Sequence, residues 1–196
     1  MAVCLLLALA VWFGGVWTQH KMLHENVIRL HVVADSDEPQ AQNVKMQVKE
    51  AVMAYLEQAL AQVPTAQEAK AFLQANLQKL EQIANETLEK AGSACKAVVQ
   101  LVKTSFATRQ YDSFTLPAGV YDALRITIGS GSGQNWWCVV FPGLCTGPVA
   151  DAFAEAGWDT SATDSLTGAL TGERPYQLRF FLLDCLGWLE NFFFGE

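Results

Sequence analysis

From Val27 to Val33 the chain alternates: Ile28, Leu30 and Val32 fall on one side of an extended backbone, with Arg29 and His31 between them. That pattern and the β-branched content predict a strand. His31 points away from the Leu30 and Val32 face, which predicts a surface or edge histidine. The run "ADSDEP" stops the strand. Ala41, Val44, Val48, Ala51 or Val52, Tyr55 and Ala59 then recur at three-to-four spacing, predicting a helix from about Glu38 to Ala61. Asp37 is the expected cap, and Pro39 suits the first turn. A second helix begins at a Thr65/Glu68 capping box, repeats the apolar period through Phe72 or Leu73, Leu77, Leu80 and Leu88, and ends at Gly92. The two form an expected antiparallel hairpin connected around Pro64.

Beyond Gly92 the period changes. Lys96 to Lys103, Tyr121 to Ile128 and Trp136 to Phe141 read as strands. In the second of these, Leu124, Ile126 and Ile128 share one face, and Arg125 and Thr127 share the other. "GSGSG", Gly129 to Gly133, is the expected hairpin connection to the tryptophan strand. It lacks the Lys-Ser/Thr of a phosphate loop and feeds a strand, so a nucleotide cradle is disfavoured. Residues 147–174 read as a loop region with a short helix near Val149 to Ala156. Tyr176 to Phe194 reads as a terminal helix whose "FFF" is packed or used at an interface. The predicted class is α+β, an antiparallel sheet covered by a helical hairpin and a C-terminal helix.

The sixteen residues Ala2 to Trp17 carry no ionised side chain. As a helix they would span about 24 Å, short of a hydrocarbon core of roughly 30 Å but long enough for an export signal. Residues 1–20 are therefore expected to be a signal or membrane-anchor segment, making membrane contact, and 26–196 a single extracytoplasmic domain. With 196 residues, 51% of them apolar, the chain is long enough to bury one core. A net charge of −7 and the lack of any basic run argue against nucleic-acid binding. Export leaves Cys95, Cys138, Cys145 and Cys185, an even number suited to oxidation.

Several chemistries compete for "NWWCVVFPGLC", Asn135 to Cys145. A cysteine nucleophile at Cys138 or Cys145 would need His31 as its base and a third group to orient it. A zinc site on the same three residues has cysteines spaced more widely than compact zinc knuckles. Asp35, Asp37 and Glu38 meet at a strand-to-helix corner, where capping accounts for the last two, leaving Asp35 as the candidate carboxylate. A Cys138–Cys145 disulfide accounts for more of the stretch: Pro142-Gly143 turns the chain, and the closed loop removes about 3 kcal/mol of unfolded-state freedom. Trp136 and Trp137 point to opposite faces of their strand. An extracytoplasmic thiol- or carboxylate-dependent enzyme stands as the alternative reading.

Three segments carry a resemblance: the apolar start, "IRLHVVADSDEPQAQNVKMQVKEAV" (Ile28 to Val52) and "FTLPAGVYDALRITIGSGSGQNWWCVVFPGLC" (Phe114 to Cys145). Together they resemble the stage II sporulation protein R family, secreted sporulation signals of endospore-forming bacteria. The matching positions are Arg29, His31, Ser36, Asp37, Pro117, Gly119, Tyr121, Arg125, Asn135, Trp136, Trp137, Cys138, Pro142 and Cys145. Asp35 stands where Asn is common in the family, and Gly143 where Pro is common. The resemblance implies a signal and no catalyst or cofactor. It implies export from the forespore, secreted or membrane-anchored, into the space between forespore and mother cell. There it would activate a membrane-embedded aspartic protease that processes the mother-cell sigma factor precursor. Arg29, His31, Ser36, Asp37, Arg125, Asn135, Trp136 and Trp137 become candidate partner contacts or fold determinants, with Cys138 and Cys145 the candidate disulfide.

Overall fold

The computed structural model describes residues 18, 21–110, 115–142 and 178–194. The expected N-terminal segment, the loop region at 147–174 with its short helix, and Cys145 lie outside the described residues. The chain divides into two compact units, one of Val27–Lys103 and Asp122–Gly147, the other of Met1–Asn26, Thr104–Tyr121 and Pro148–Glu196. Both long strands contribute residues to both units. The class is α+β.

The first unit is built on a four-stranded sheet. Strand β1 (Ile28–Val33) is followed by helices α1 (Pro39–Leu60), α2 (Ala66–Ala75) and α3 (Leu77–Lys90), then strands β2 (Ala97–Phe106), β5 (Gly119–Ile128) and β6 (Asn135–Phe141). The sheet order is β2-β5-β1-β6. β1 is therefore central, and every one of its residues is buried. It pairs antiparallel with β6 and parallel with β5, so the sheet is mixed where an antiparallel one was expected. The long connection from β1 through the helices to β5 permits that parallel ladder, which no tight turn could make.

The helices cover the sheet with a continuous apolar face. Val44, Val48, Val52, Leu56 and Leu60 of α1 are buried at helical spacing, as are Leu80, Ala84 and Leu88 of α3. The second predicted helix is two. The break falls at Asn76, whose φ of −111° and ψ of 12° leave the helical region. Its amide donates to the Phe72 carbonyl at 2.8 Å, an alternative to continuing the ladder that asparagine offers readily. The Thr65 cap holds as expected, accepting from the Glu68 N–H at 3.2 Å.

"GSGSG" is not a hairpin, because β1 lies between β5 and β6 in the sheet. The loop crosses over the end of β1, and its glycines answer to that crossing. A Cβ on Gly133 would sit 2.2 Å from the Ser36 carbonyl oxygen, and Gly129, at φ +56°, lies against the Asp35 carboxylate.

The second unit contains the short antiparallel ladder of β3 (Arg109–Gln110) and β4 (Thr115–Leu116), which the hydrophobic pattern did not predict, and the terminal helix α4 (Leu178–Phe194). Tyr121 is its anchor, fully buried, with its hydroxyl donating to the Pro117 carbonyl at 2.8 Å. The Tyr121 ring stacks on His24 at 4.1 Å and meets the edge of Phe106. Gly119 leaves room for that histidine, since a Cβ would fall 1.9 Å from His24 Cε1.

Candidate functional site

Alternation along a central strand decides which predicted residues meet. In register, His31 lies between Arg125 of β5 and Trp137 of β6, and Arg29 lies between Ala123 and Val139. Residues in register share a sheet face. Arg29, His31, Arg125, Asn135 and Trp137 therefore occupy one face, opposite the face that carries Leu30, Val32, Leu124 and Ile126. Ala123 and Val139 are small enough to flank the long Arg29 side chain, which is fully buried.

His31 is the centre of this cluster. Its ring stacks on Trp137 with centroids 4.0 Å apart and planes inclined by 14°. It is 6% exposed, so the expected surface or edge histidine is instead buried in the middle of the sheet. The reason is topological: the crossing loop and the parallel ladder place β1 inside, and a period-2 pattern with polar residues on one side does not reveal a strand covered on both. Burial, the largest cause, and the nearby charges of Arg125 and Arg29 lower its pKa to about 4, against a hydrogen bond to Asn135, accepted from the protonated ring, that raises it. The imidazole is thus neutral at physiological pH and a weak general base there.

The cluster runs from buried to open. Arg29 and His31 are internal, Arg125 and Trp137 are half-buried, and Asn135 is exposed. Arg125 Nε has no hydrogen-bond partner among the described residues. The Arg125 guanidinium, the Asn135 amide and the Trp137 indole, supported by the buried Arg29 and the neutral His31, make a surface that donates hydrogen bonds and stacks.

Trp136 and Cys138 lie on the opposite, helix-covered face. Lys49 Nζ of α1 sits 5.2 Å from the Trp136 ring centroid, a cation–π contact. Cys138 stands opposite Leu30 and is disulfide-bonded, whereas Cys95 and Cys185 are free thiols. The expected partner, Cys145, lies outside the described residues. Cys138 and His31 face opposite sides of the sheet, which separates the nucleophile–base pair weighed from the sequence.

The acidic corner proves to be a clasp on the crossing loop. Asp35 Oδ1 accepts the Ser130 N–H at 2.7 Å, and the Asp35 carbonyl accepts the Ser130 and Ser132 hydroxyls at 2.8 and 2.9 Å. The Ser130 bonds, with a smaller contribution from the Cys95 thiol, hold the Asp35 carboxyl below its usual range. Asp37 is not the helix cap. Glu38 takes the N-cap position without a side-chain bond, and Asp37 Oδ1 accepts the Gln134 N–H at 2.7 Å. The Ser36 carbonyl accepts the Gln42 amide at 2.8 Å. Lys45, buried on α1, donates to Gln42 Oε1 at 2.6 Å and to the Gln134 carbonyl at 3.0 Å. Burial lowers its pKa, opposed by the Asp37 charge. Lys45 was missed from the sequence, although its place beside Val44 on the apolar face of α1 was a readable sign. Asp35 and Asp37 thus fix the loop that delivers Asn135 and Trp137 to the cluster.

The model of the family described as stage II sporulation protein R matches residues 24–151, nearly two thirds of the chain. A relative from Bacillus subtilis (strain 168), named stage II sporulation protein R, is 37% identical over 127 residues, which are 65% of this chain and 57% of that protein. The match thus spans little more than half of the relative's length. No solved structure matches the chain. The matched stretch contains the whole sheet, its three helices and the clustered residues, and α4 lies beyond it. The chain belongs to the stage II sporulation protein R family, and its role lies in sporulation.

Proposed function

We propose that the chain is an exported signal that activates a membrane-embedded aspartic protease of the mother cell by direct contact. That protease would then process the sigma factor precursor. Family membership supports the sporulation setting, and the observation that carries the contact is the open end of the sheet cluster. There Trp137, stacked on the buried His31, lies beside Arg125 and the exposed Asn135. Tryptophan and arginine dominate the energetics of protein contacts when a rigid support holds them. Arg29 and His31 supply the support, and Asp35 and Asp37 hold the loop that leads into β6.

Activation is a population shift: the signal binds the protease's active arrangement more tightly than its inactive one and draws the equilibrium toward it. The compartment is the space between forespore and mother cell, reached by export on the N-terminal segment. Cys138 pairs there with Cys145 and closes the loop after β6. A neutral, stacked His31 on the face opposite Cys138 favours this signalling reading over a thiol enzyme. The experiment is to add the folded chain to membranes displaying the protease and its precursor substrate and to score cleavage. Cleavage that depends on the added chain is expected. Unchanged cleavage, with both proteins shown to be folded, contradicts the proposal.

A further inference from the structure

The last helix is seated by one stripe and bare on another. Asp184 Oδ1 accepts the Ala118 N–H at 2.9 Å and bonds the Thr108 hydroxyl. Gly187 lies so close to the Ala118 carbonyl that a Cβ would be 1.6 Å from its oxygen. The Asn191 amide donates to the Phe106 carbonyl at 2.8 Å. Positions 184, 187 and 191 lie on one side of a helix, and these three contacts fix its rotation. The flanking side is thereby left to solvent: Trp188 is 64% exposed, Leu189 47% and Phe192 71%. The Trp188 and Phe192 rings stack at 5.9 Å, and the free, exposed thiol of Cys185 shares their side.

We propose that this outer face of α4 lies in the interfacial layer of a lipid bilayer, a second point of membrane contact that goes beyond the signalling reading. Three observations select a lipid surface. The described groups of the face, Cys185, Trp188, Leu189 and Phe192, are uncharged, and aromatic and aliphatic groups of this kind settle at the headgroup boundary. With the 65% exposed Phe193 included, the bare side chains among the described residues amount to roughly 500 Å², from 150–250 Å² for a large aromatic. A stable dimer needs about 800 Å² per partner. Finally, α4 belongs to the same unit as Met1–Asn26, which includes the uncharged stretch Ala2 to Trp17. A weak interfacial face gains from a tether on its own unit, because the first attachment holds the second at high effective concentration. The helix itself does not cross: it has 17 residues, and no helix among the described residues is long and apolar enough to span a membrane.

Cys185 reports on the face directly. The full chain is treated with a membrane-impermeant maleimide, with and without phosphatidylcholine vesicles, and labelling is read at each cysteine by mass spectrometry. The expected result is Cys185 labelling slowed about tenfold or more by vesicles, since an apolar layer excludes the reagent and disfavours the thiolate. Cys95, half-buried in the other unit, should keep its rate. In the Trp188→Ser/Phe192→Ser chain the N-terminal segment still brings the protein to vesicles, and Cys185 should label at its solution rate. If the wild-type chain floats with vesicles while Cys185 keeps its solution rate, or if it does not bind vesicles, the proposal is overturned. Protection of Cys185 without vesicles means that a second copy covers the face and overturns it equally. Should the variant's Cys95 rate rise, the variant has unfolded and the wild-type comparison alone decides.

Discussion

The central strand and the terminal helix break the inside–outside rule in opposite directions. β1 buries Arg29 and His31 in the middle of a sheet, whereas α4 leaves Trp188 and Phe192 in solvent. Buried polar groups and exposed aromatic ones are the informative exceptions in a folded chain. The buried pair gains its place from neighbours: small flanking residues for Arg29, a stacked indole and an amide for His31. The exposed pair is held outward by contacts on the neighbouring stripe of its helix. Polar residues in the first case serve packing and support, and apolar residues in the second do not, so substitutions should cost stability in one place and leave it intact in the other.

The largest effect is expected at Arg29. Arg29→Ala removes a fully buried long side chain and should lower unfolding free energy by about 3 to 5 kcal/mol, as large core truncations do, read by denaturant titration with a probe in the sheet. Acid should come next. His31 has its folded pKa depressed to about 4 from an ordinary value near 6.5, so the unfolded chain binds the proton more readily. That contribution is present above about pH 6.5 and is lost as pH falls toward 4, on the order of 3 kcal/mol in total. His31→Gln should flatten the pH dependence of stability in that window. Gly187→Ala drives a Cβ into the Ala118 carbonyl and should cost about 2 kcal/mol locally, seen as faster hydrogen exchange at the Ala118 amide. Asp37→Ala removes one charge-assisted bond to the crossing loop and should cost about 1 kcal/mol, with exchange at the Gln134 amide as the readout. Smallest of all, Trp188→Ser with Phe192→Ser should change stability by no more than about 0.5 kcal/mol.

Where a local period carried the signal, the sequence was legible. α1 is found within a residue of its expected ends because Val44, Val48 and Val52 repeat on one face and Pro39 marks the start, although Leu56 and Leu60 are buried where Tyr55 and Ala59 were expected. Trp136 and Trp137 take opposite faces as strand alternation demands. What escaped depended on strand order, which no local period records. The burial of His31, the parallel β1–β5 ladder and the crossing role of Gly129 to Gly133 all follow from β1 lying between β5 and β6. Asp37 shows the same limit at one residue: its place before Pro39 marks a cap, but the loop from a distant strand supplies a better donor in the Gln134 N–H. Within the candidate site, Arg29, His31, Arg125, Asn135 and Trp137 come together, while Trp136 and Cys138 turn to the helix side.

The central claim is that the open end of the β1–β5–β6 cluster makes the activating contact. The most direct measurement is precursor cleavage by protease-bearing membranes titrated with the wild-type chain and with Arg125→Ala, their folding matched by circular dichroism. A guanidinium at a contact is worth about 1.4 kcal/mol or more, so the variant should need at least about ten times the concentration for half-maximal cleavage. Superimposable titrations of the two folded chains would contradict the account.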